Sequence, residues 1–467
     1  MARTKELDML NGALLPKLMM FSLPLALTGI LQLLFNAADV IVVGKFAGST
    51  SLAAVGATSA LINLLTGAFI GISVGVNILV ARYIGCRDDA GVSRAVHSAI
   101  TLSLLLGVVT FLLGFFLSTP MLELMGTPDD VLRLASLYLR IYFIGIPGAL
   151  IYNFAAAILR AYGDTKRPLL FLAVSGVLNV FLNLFFVIVC RLDVAGVAIA
   201  TVVSQYVSVV LILVCLMRQT GPARLSLRQL RLHPSEALRM IQIGLPAGLQ
   251  SVVFNISNVM VQSCVNSFGA DVIAANTASA NIAAFTYTAM NAVFHAAITF
   301  TSQNLGARRY DRIWMIFWNC QLTVMLIGVP LCVLSTVFGP QLLSIYVSAD
   351  DPARDAVIAM GMIRTYYVTT PYFLCGIMEV CCGMVRGLGK SWLPMVVTIF
   401  GACVMRIVWI YTIFAWKHTL PALYVSYPIS WVITAAMHVV CFVYFWKRIR
   451  RKLEQTAPAA ADIRKES

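Results

Sequence analysis

The stretch RAYGDTKRP at positions 160–168 returns in altered form as RGLGKSWLP at positions 386–394. Both copies follow the pattern Arg-x-x-Gly-x-x-x-x-Pro, at an offset of 226 residues. Just upstream, RIYFIGIP at 140–147 matches RTYYVTTP at 364–371 at an offset of 224, and a Leu-Pro pair near the start of each half matches at an offset of 222. Matches with a slowly drifting offset indicate that a unit of about half the chain is duplicated.

The chain has the composition of a membrane protein. Of its 467 residues, 60% are hydrophobic and 12% are charged, and the mean hydropathy is +0.87. These values exclude an ordinary soluble domain. The apolar runs are long enough to cross a bilayer, which takes about 20 helical residues, so we predict an all-α polytopic membrane protein. The twelve expected transmembrane helices cover residues 15–43, 52–81, 95–118, 134–159, 168–190, 195–217, 240–266, 273–301, 313–338, 356–384, 392–416 and 423–446.

The polar segment 218–239 divides these helices into six and six. We expect an N-terminal six-helix lobe over 1–217, a cytoplasmic inter-lobe loop over 218–239, a C-terminal six-helix lobe over 240–446 and a basic cytoplasmic tail over 447–467. An even number of helices gives both halves the same orientation, so the two pseudo-symmetric lobes should form a parallel repeat. Internally duplicated membrane bundles are typical of transporters.

The net charge of +14 follows the positive-inside pattern of membrane proteins. With both termini placed in the cytoplasm, most lysines and arginines fall in inner loops, whereas the outer loops carry acids such as Asp129, Asp271 and Asp355. This distribution argues against nucleic acid as a partner. The basic run 447–452 is interpreted as a topology determinant, with binding to anionic membrane lipids as the alternative. The first helix is too long for a signal peptide, so no cleavage is expected.

The sequence suggests no cofactor, no metal site and no catalytic residues. The 11 cysteines lie mostly in apolar runs, with no Cys-x-x-Cys pair, and are interpreted as small core residues. The sequence also has no nucleotide-binding loop of the Walker type. Active transport by this chain would therefore run on an ion gradient.

Ionisable groups inside a bilayer are costly and tend to mark ion pathways. Asp39 in helix 1 lies six residues before Lys45, about 9 Å below the outer surface. Asn183 in helix 5 and Thr201 in helix 6 lie about 12 Å below that surface, and Asn179 shares a helical face with Asn183. We predict a shared site for a proton or a small cation, with Asp39 neutral in one conformation and ionised in another. Interhelical hydrogen bonding without an ion is the alternative for the Asn and Thr residues.

A second polar set lies in the other half, which has Val261 at the position matching Asp39. Glu379 in helix 10 and His295 in helix 8 lie about 10 Å and 12 Å from the inner surface, so they share a depth at which they can meet. Asn258 in helix 7 completes this candidate second-lobe site. Arg406 in helix 11 lies roughly 24 Å from the inner surface, so we do not expect it to pair with Glu379.

The duplicated loop motifs sit at the inner surface, after helices 4 and 10. Gly163 and Gly389 can adopt a positive φ after a helix end. Arg160 and Arg386 can interact with the last carbonyls of the preceding helix. We interpret these four residues as structural, capping the helical hairpins.

Five motifs are also found in a known family. They are Asn36-x-x-Asp39 with Val43-Gly44, Arg82-Tyr83-Ile84-Gly85-x-x-Asp88, Arg160-x-x-Gly163-Asp164-Thr165-x-x-Pro168, Gln303-x-x-Gly306-Ala307, and Arg386-Gly387-x-Gly389-x-Ser391-x-x-Pro394. In these motifs the chain resembles the multidrug and toxic compound extrusion (MATE) family, and most closely its bacterial branch related to the DNA-damage-inducible transporters.

The resemblance implies two six-helix lobes around a central cavity, in the bacterial inner membrane. It implies proton- or sodium-coupled antiport of lipophilic or cationic small molecules by alternating access. It also implies that Asp39 is the coupling acid, with Asn179, Asn183 and Thr201 as its hydrogen-bonding partners. We expect a monomer.

One departure from the family pattern affects the choice of ion. Many relatives carry an acid where this chain has Asn183, so Asp39 is the lone carboxylate of its lobe. A lone acid suits exchange of a single proton, because a cation site with fewer charges holds sodium less tightly.

Two alternative functions are open. A flippase of lipid-linked saccharides would need several cations at mid-membrane depth, where only Arg406 lies. A membrane-embedded transferase would need clustered acids or a His/Asp pair, which the sequence does not show. We therefore expect a transporter and not an enzyme.

Overall fold

The computed structural model describes residues 7–347 and 352–463, and this part of the chain is built of helices and the turns that join them. The helices of the first half are α1 (Leu14–Ala47), α2 (Ser49–Cys86), α3 (Asp89–Leu124), α4 (Asp129–Ala161), α5 (Lys166–Val189) and α6 (Asp193–Met217). Those of the second half are α7 (Pro234–Asn266), α8 (Ala270–Gly306), α9 (Tyr310–Val337), α10 (Arg354–Gly387), α11 (Trp392–Phe414) and α12 (Leu420–Arg451), the last of which continues to Ile463. Short helices occur at Leu227–Gln229 and Gly339–Ser344.

Eleven of these helices are long and apolar enough to cross a membrane by length and composition. The twelfth, α8, is 37 residues long and therefore also spans the bilayer thickness. Its lower hydropathy comes from polar residues such as Asn276, Ser279 and Thr286, whose side chains are buried within the protein. Most helices begin a few residues before the predicted apolar runs, and about half of them also end a few residues beyond those runs.

Several transmembrane helices change locally from α- to π-helical geometry. This geometry is rare in proteins overall, and where it does occur it is often found at functional sites. In the first half the π-helical segments are the ends of α1 and α5, Val43–Ala47 and Phe185–Val189. In the second half they are Thr365–Thr369 in α10, and Ile399–Val404 and Ile410–Phe414 in α11.

The chain folds as two compact units, and the first contains Met20–Val252. Its core lies where α2, α3 and α4 pack, with Phe154 fully buried at the centre. The predicted inter-lobe loop folds onto this unit: the backbone N–H of Ser226 donates to His97 Nε2 at 3.1 Å, and that of His233 donates to Ser98 Oγ at 3.0 Å. The lobe boundaries at 217 and 240 were predicted from the sequence repeat, and they stay a prediction.

The second unit contains Met9–Met19 and the chain from Val253 onwards. Its α8 and α10 pack so closely that a Cβ added to Gly383 would lie only 2.9 Å from the Phe294 carbonyl oxygen. The Nδ2 group of the buried Asn304 donates to the Met9 carbonyl at 3.2 Å, which ties the segment before α1 to the end of α8.

Helix ends repeat between the halves more faithfully than the sequence suggests. Gly48 and Gly269, 221 residues apart, precede α2 and α8 with φ of 88° and 100°. Arg87 and Arg308, at the same spacing, follow those helices with φ of 58° and 56°. Non-glycine residues rarely adopt this conformation, so its recurrence at equivalent positions supports the duplication.

Candidate functional site

Three helices of the first unit bring the predicted polar residues together. Asn183 Nδ2 on α5 donates a short hydrogen bond to Asp39 Oδ1 on α1. The same Nδ2 group donates to Asn179 Oδ1 at 3.2 Å, and Asn179 Nδ2 donates to Thr201 Oγ1 on α6 at 3.4 Å. Asn183 is fully buried, whereas Asp39 is half-buried. The four residues therefore form one continuous network around a single carboxyl group.

Thr201 connects this network to the backbone of α6. Its hydroxyl donates to the Val197 carbonyl at 3.0 Å, and it also lies within hydrogen-bonding reach of Asp39. A hydroxyl carries one proton, so Thr201 can donate either to Val197 or to an ionised Asp39, but not to both. The charge of Asp39 is therefore coupled to the hydrogen bonding of α6.

The register between α1 and α5 depends on Phe35 and Gly176. The Phe35 ring packs directly onto the Cα of Gly176, where any added Cβ would overlap it. Phe35 lies one turn before Asp39, and Gly176 lies two turns before Asn183, so each pair shares a helical face. The close approach at Gly176 sets the spacing at which Asn183 reaches Asp39.

Apolar residues pack beside the network, one turn further along α1 and α5 and one turn earlier on α6. Val43, Val187 and Val197 form a buried cluster with Tyr138 and other side chains. Two of these residues belong to the π-helical ends of α1 and α5. This cluster lies between the network and the helix ends at Ala47, Val189 and Asp193.

The predicted second-lobe residues lie on three different helices, α7, α8 and α10. Asn258 on α7 accepts a hydrogen bond from Arg406 Nη1 on α11 at 3.4 Å. Glu379 lies half-buried on α10, two turns before Arg386 of the same helix. His295 lies on α8, with its ring 5.2 Å from that of Phe294. Sequence reasoning left Arg406 out of the candidate set, although it is the partner of Asn258.

Both loop motifs end their helices with the same backbone geometry. Gly163 has φ +83°, its N–H donates to the Arg160 carbonyl at 2.9 Å, and the next N–H donates to the Leu159 carbonyl at 2.9 Å. Gly389 has the same φ, and its N–H donates to the Arg386 carbonyl at 2.7 Å. This pair of hydrogen bonds is a Schellman cap, which requires a left-handed residue after the helix.

The Arg386 side chain is buried, with its guanidinium 5.7 Å from the centre of the Phe294 ring. The side chain therefore packs from α10 against α8. The equivalent Arg160 is half-buried at the end of α4.

A cluster around one buried carboxylate of the first unit was missed by sequence reasoning. Glu236, at the start of α7, is 3% exposed. It accepts a hydrogen bond from the Tyr83 hydroxyl at 2.8 Å and pairs with Arg94 Nε at 3.6 Å. The Tyr83 hydroxyl also accepts from Arg239 Nη1 at 2.9 Å. The only sequence signal for this cluster is Tyr83 within a family motif.

Metal-binding clusters are not found in the part of the chain that the structure describes: no three His, Cys, Asp or Glu residues there could share an ion. The ligands around Asp39 are neutral amides and a hydroxyl. Such a set suits a proton or a weakly held monovalent cation more than a divalent ion.

Comparison with known proteins agrees with this architecture. Residues 24–185 and 246–412 each match the family model described as MatE. The chain is 26% identical over 437 residues to the probable multidrug resistance protein YoeA of Bacillus subtilis (strain 168), which covers 92% of this chain and 93% of that protein. It is 28% identical over 402 residues to the probable multidrug resistance protein YpnP of the same organism, covering 86% and 89% of the two chains.

Among solved structures, the chain is similar to the outward-facing conformation of a multidrug resistance MATE family transporter of the MOP superfamily. The TM-score is 0.87 at 23% identity, over 97% of this chain and 99% of that one. This similarity confirms the predicted fold class, twelve transmembrane helices in two six-helix lobes. Because the family model matches both halves of the duplication, the chain belongs to the MatE family of transporters, the multidrug and toxic compound extrusion family.

Proposed function

We propose that this protein exports organic, often cationic or lipophilic, compounds in exchange for protons, by alternating access. Relatives named as multidrug resistance proteins support the drug substrates. The observation that carries the coupling is the network in which one carboxyl group, Asp39, is held by neutral partners from two other helices.

The network gives protonation a mechanical effect. An ionised Asp39 accepts hydrogen bonds from Asn183 and Thr201, which hold α1 against α5 and α6. A neutral Asp39 is a donor as well as an acceptor, so it competes for the same partners and weakens that hold. The relative stability of two arrangements of α1 would then depend on whether the proton is bound.

Pro24, in the inner half of α1, provides a bend point for such a rearrangement. Proline lacks the N–H that would continue the helical hydrogen bonds. The Thr28 hydroxyl donates to the Pro24 carbonyl at 2.8 Å, an arrangement that often bends helices. We propose that α1 changes its course here when Asp39 changes its charge.

A proton is favoured over sodium because Asp39 is the one acid of its network, and its partners Asn179, Asn183 and Thr201 are neutral. A sodium ion would need more oxygen ligands and more negative charge than this set supplies.

The test is transport by purified protein in proteoliposomes, comparing Asp39→Asn with the wild type and with Asp193→Asn, an exposed acid at the start of α6. We expect Asp39→Asn to abolish efflux of a cationic dye while the protein still inserts and folds, and the control variant to transport normally. Efflux should collapse when the proton gradient is dissipated and should persist without sodium. Wild-type transport by Asp39→Asn would rule out the coupling role, and restoration by sodium alone would reverse the ion assignment.

We further propose that the protein resides in a bacterial inner membrane with both termini cytoplasmic, as the distribution of basic residues indicates. Glu379, His295 and Asn258 stay a proposed second-lobe polar site. Arg160, Gly163, Arg386 and Gly389 are proposed to fix the inner helical hairpins.

A further inference from the structure

The second unit contains a fully buried positive charge that the proposed coupling mechanism does not use. Arg406 on α11 is 0% exposed. Among the residues that the structure describes, no carboxylate forms an ion pair with it. A buried charge without an opposite charge is costly, so the site must compensate for it in some other way.

Neutral and aromatic groups make up the contacts of Arg406. Its Nε group donates to Ser430 Oγ at 3.1 Å, and Nη1 donates to Asn258 Oδ1 at a long 3.4 Å. The guanidinium lies 4.2 Å from the centre of the Tyr427 ring and 5.2 Å from that of Phe254. These hydrogen bonds and aromatic contacts orient the guanidinium and partly stabilise its charge, but none of these groups carries the negative charge that would neutralise it.

Two buried hydrogen-bond donors in this cluster lack an acceptor. Arg406 Nη2 is buried without a partner, and so is Nε1 of Trp431. Both residues pack near the same ring: the Arg406 guanidinium lies over Tyr427, whose centroid is 5.9 Å from that of Trp431. Buried donors normally find an acceptor, so a donor-rich, positively charged site is chemically suited to an anion.

Local geometry sets Arg406 apart from an ordinary core residue. It lies on a five-residue α-helical piece of α11 between two π-helical segments, Ile399–Val404 and Ile410–Phe414. Asn258, Tyr427 and Phe254 are only half-buried, so the surroundings of the guanidinium reach the surface of the unit although Arg406 itself does not.

We propose that Arg406, with Trp431, Ser430 and Asn258, forms a binding site for a small monovalent anion, either a halide or a carboxylate group. A single positive charge balances a single negative charge, and a phosphate dianion would exceed it. The test of this site measures anion binding and not transport. Its outcome therefore does not depend on the proposed proton coupling at Asp39.

The test is the thermal unfolding of the purified full-length protein, followed by light scattering. Sodium bromide and sodium acetate are each titrated against the sodium salt of a bulky sulfonate buffer at constant ionic strength. We expect bromide to raise the melting temperature of the wild type in a saturable manner. A response to bromide alone assigns the site to halides, and a response to acetate as well shows that a carboxylate group fits. A response to neither overturns the proposal.

Variants separate the site from general salt effects. Arg406→Met should lose the bromide response, and Trp431→Phe should need about tenfold more bromide for half the effect, since one hydrogen bond to the anion is lost. Arg364→Met is the matched control, because Arg364 is a buried arginine of the same unit that donates to Ser279 Oγ at 3.3 Å; it should keep the response. An undiminished response in Arg406→Met overturns the proposal, and if that variant does not fold, an unchanged bromide midpoint in Trp431→Phe does so.

Discussion

Replacing Gly176 by alanine tests whether helix spacing, and not only the polar residues, creates the coupling network. The new Cβ would overlap the Phe35 ring. Non-bonded carbon atoms need about 3.5–4.0 Å, so the ring and its helix must move away from α5 by roughly 1.5 Å. Asp39 lies one turn further along the same helix, and it would move with the ring.

The size of the effect follows from the hydrogen bond that this movement breaks. A normal N–H···O distance is about 2.7–3.2 Å, and an added 1.5 Å puts Asn183 out of reach of Asp39. A hydrogen bond to a charged group contributes about 1.5–3 kcal/mol. If ionised Asp39 loses that much stabilisation, the coupled rate should fall roughly tenfold to 150-fold.

The assay is proton-driven efflux of a fluorescent cation from proteoliposomes, with equal amounts of folded protein confirmed by size-exclusion chromatography. Gly56→Ala is the matched control, because Gly56 lies in a helix of the same unit with nothing within 4 Å of an added Cβ; it should transport normally. Adding Phe35→Leu to Gly176→Ala should recover at least part of the activity, since the smaller side chain makes room. Full activity in Gly176→Ala, or loss without any recovery in the double variant, would contradict the role given to this contact.

Three further predictions concern other parts of the chain. Asn183→Asp adds a second carboxylate beside the first and should create sodium-stimulated efflux, measured with the proton gradient dissipated; no response to sodium would contradict the charge argument. Gly163→Ala and Gly389→Ala should each lower the free energy of unfolding by about 1–2 kcal/mol, because both residues have φ +83°; unchanged thermal unfolding would contradict this. Glu236→Gln should weaken the ion pair with the exposed Arg94 by up to about 1 kcal/mol and speed tryptic cleavage of the loop 218–233, whereas unchanged cleavage would contradict it.

Depth counting along helices predicted which polar residues share a level in the membrane. Asp39, Asn183 and Thr201 were placed near one depth from their distance to the charged helix ends, and in the structure they are joined by hydrogen bonds. The method works because a transmembrane helix has a fixed rise and its ends are marked by charges. The Schellman glycines could also be predicted from the sequence, because the need for a left-handed residue arises from the local backbone at the helix end.

Contacts that depend on which helix faces which could not be predicted in this way. Depth alone suggested that Glu379 could meet His295, but it could not show that Asn258 faces Arg406 on α11. The packing of Phe35 on Gly176 has no sequence signature, because aromatic residues and glycines are common throughout the apolar runs. The π-helical segments beside both polar clusters also add a residue to a turn, which alters the faces that an ideal helical period assigns.

The two halves share a backbone plan, but the charged residues of their two polar clusters differ. Asp39 in the first half corresponds to Val261 in the second, which is buried in the core of its unit. Arg406 in the second half corresponds by the loop offset to Val180 in the first. The caps at Gly48, Gly269 and the two Schellman glycines recur, whereas Asp39 and Arg406 have no charged counterpart in the other half. The backbone caps therefore belong to the duplicated scaffold, whereas Asp39 and Arg406 each belong to one half alone.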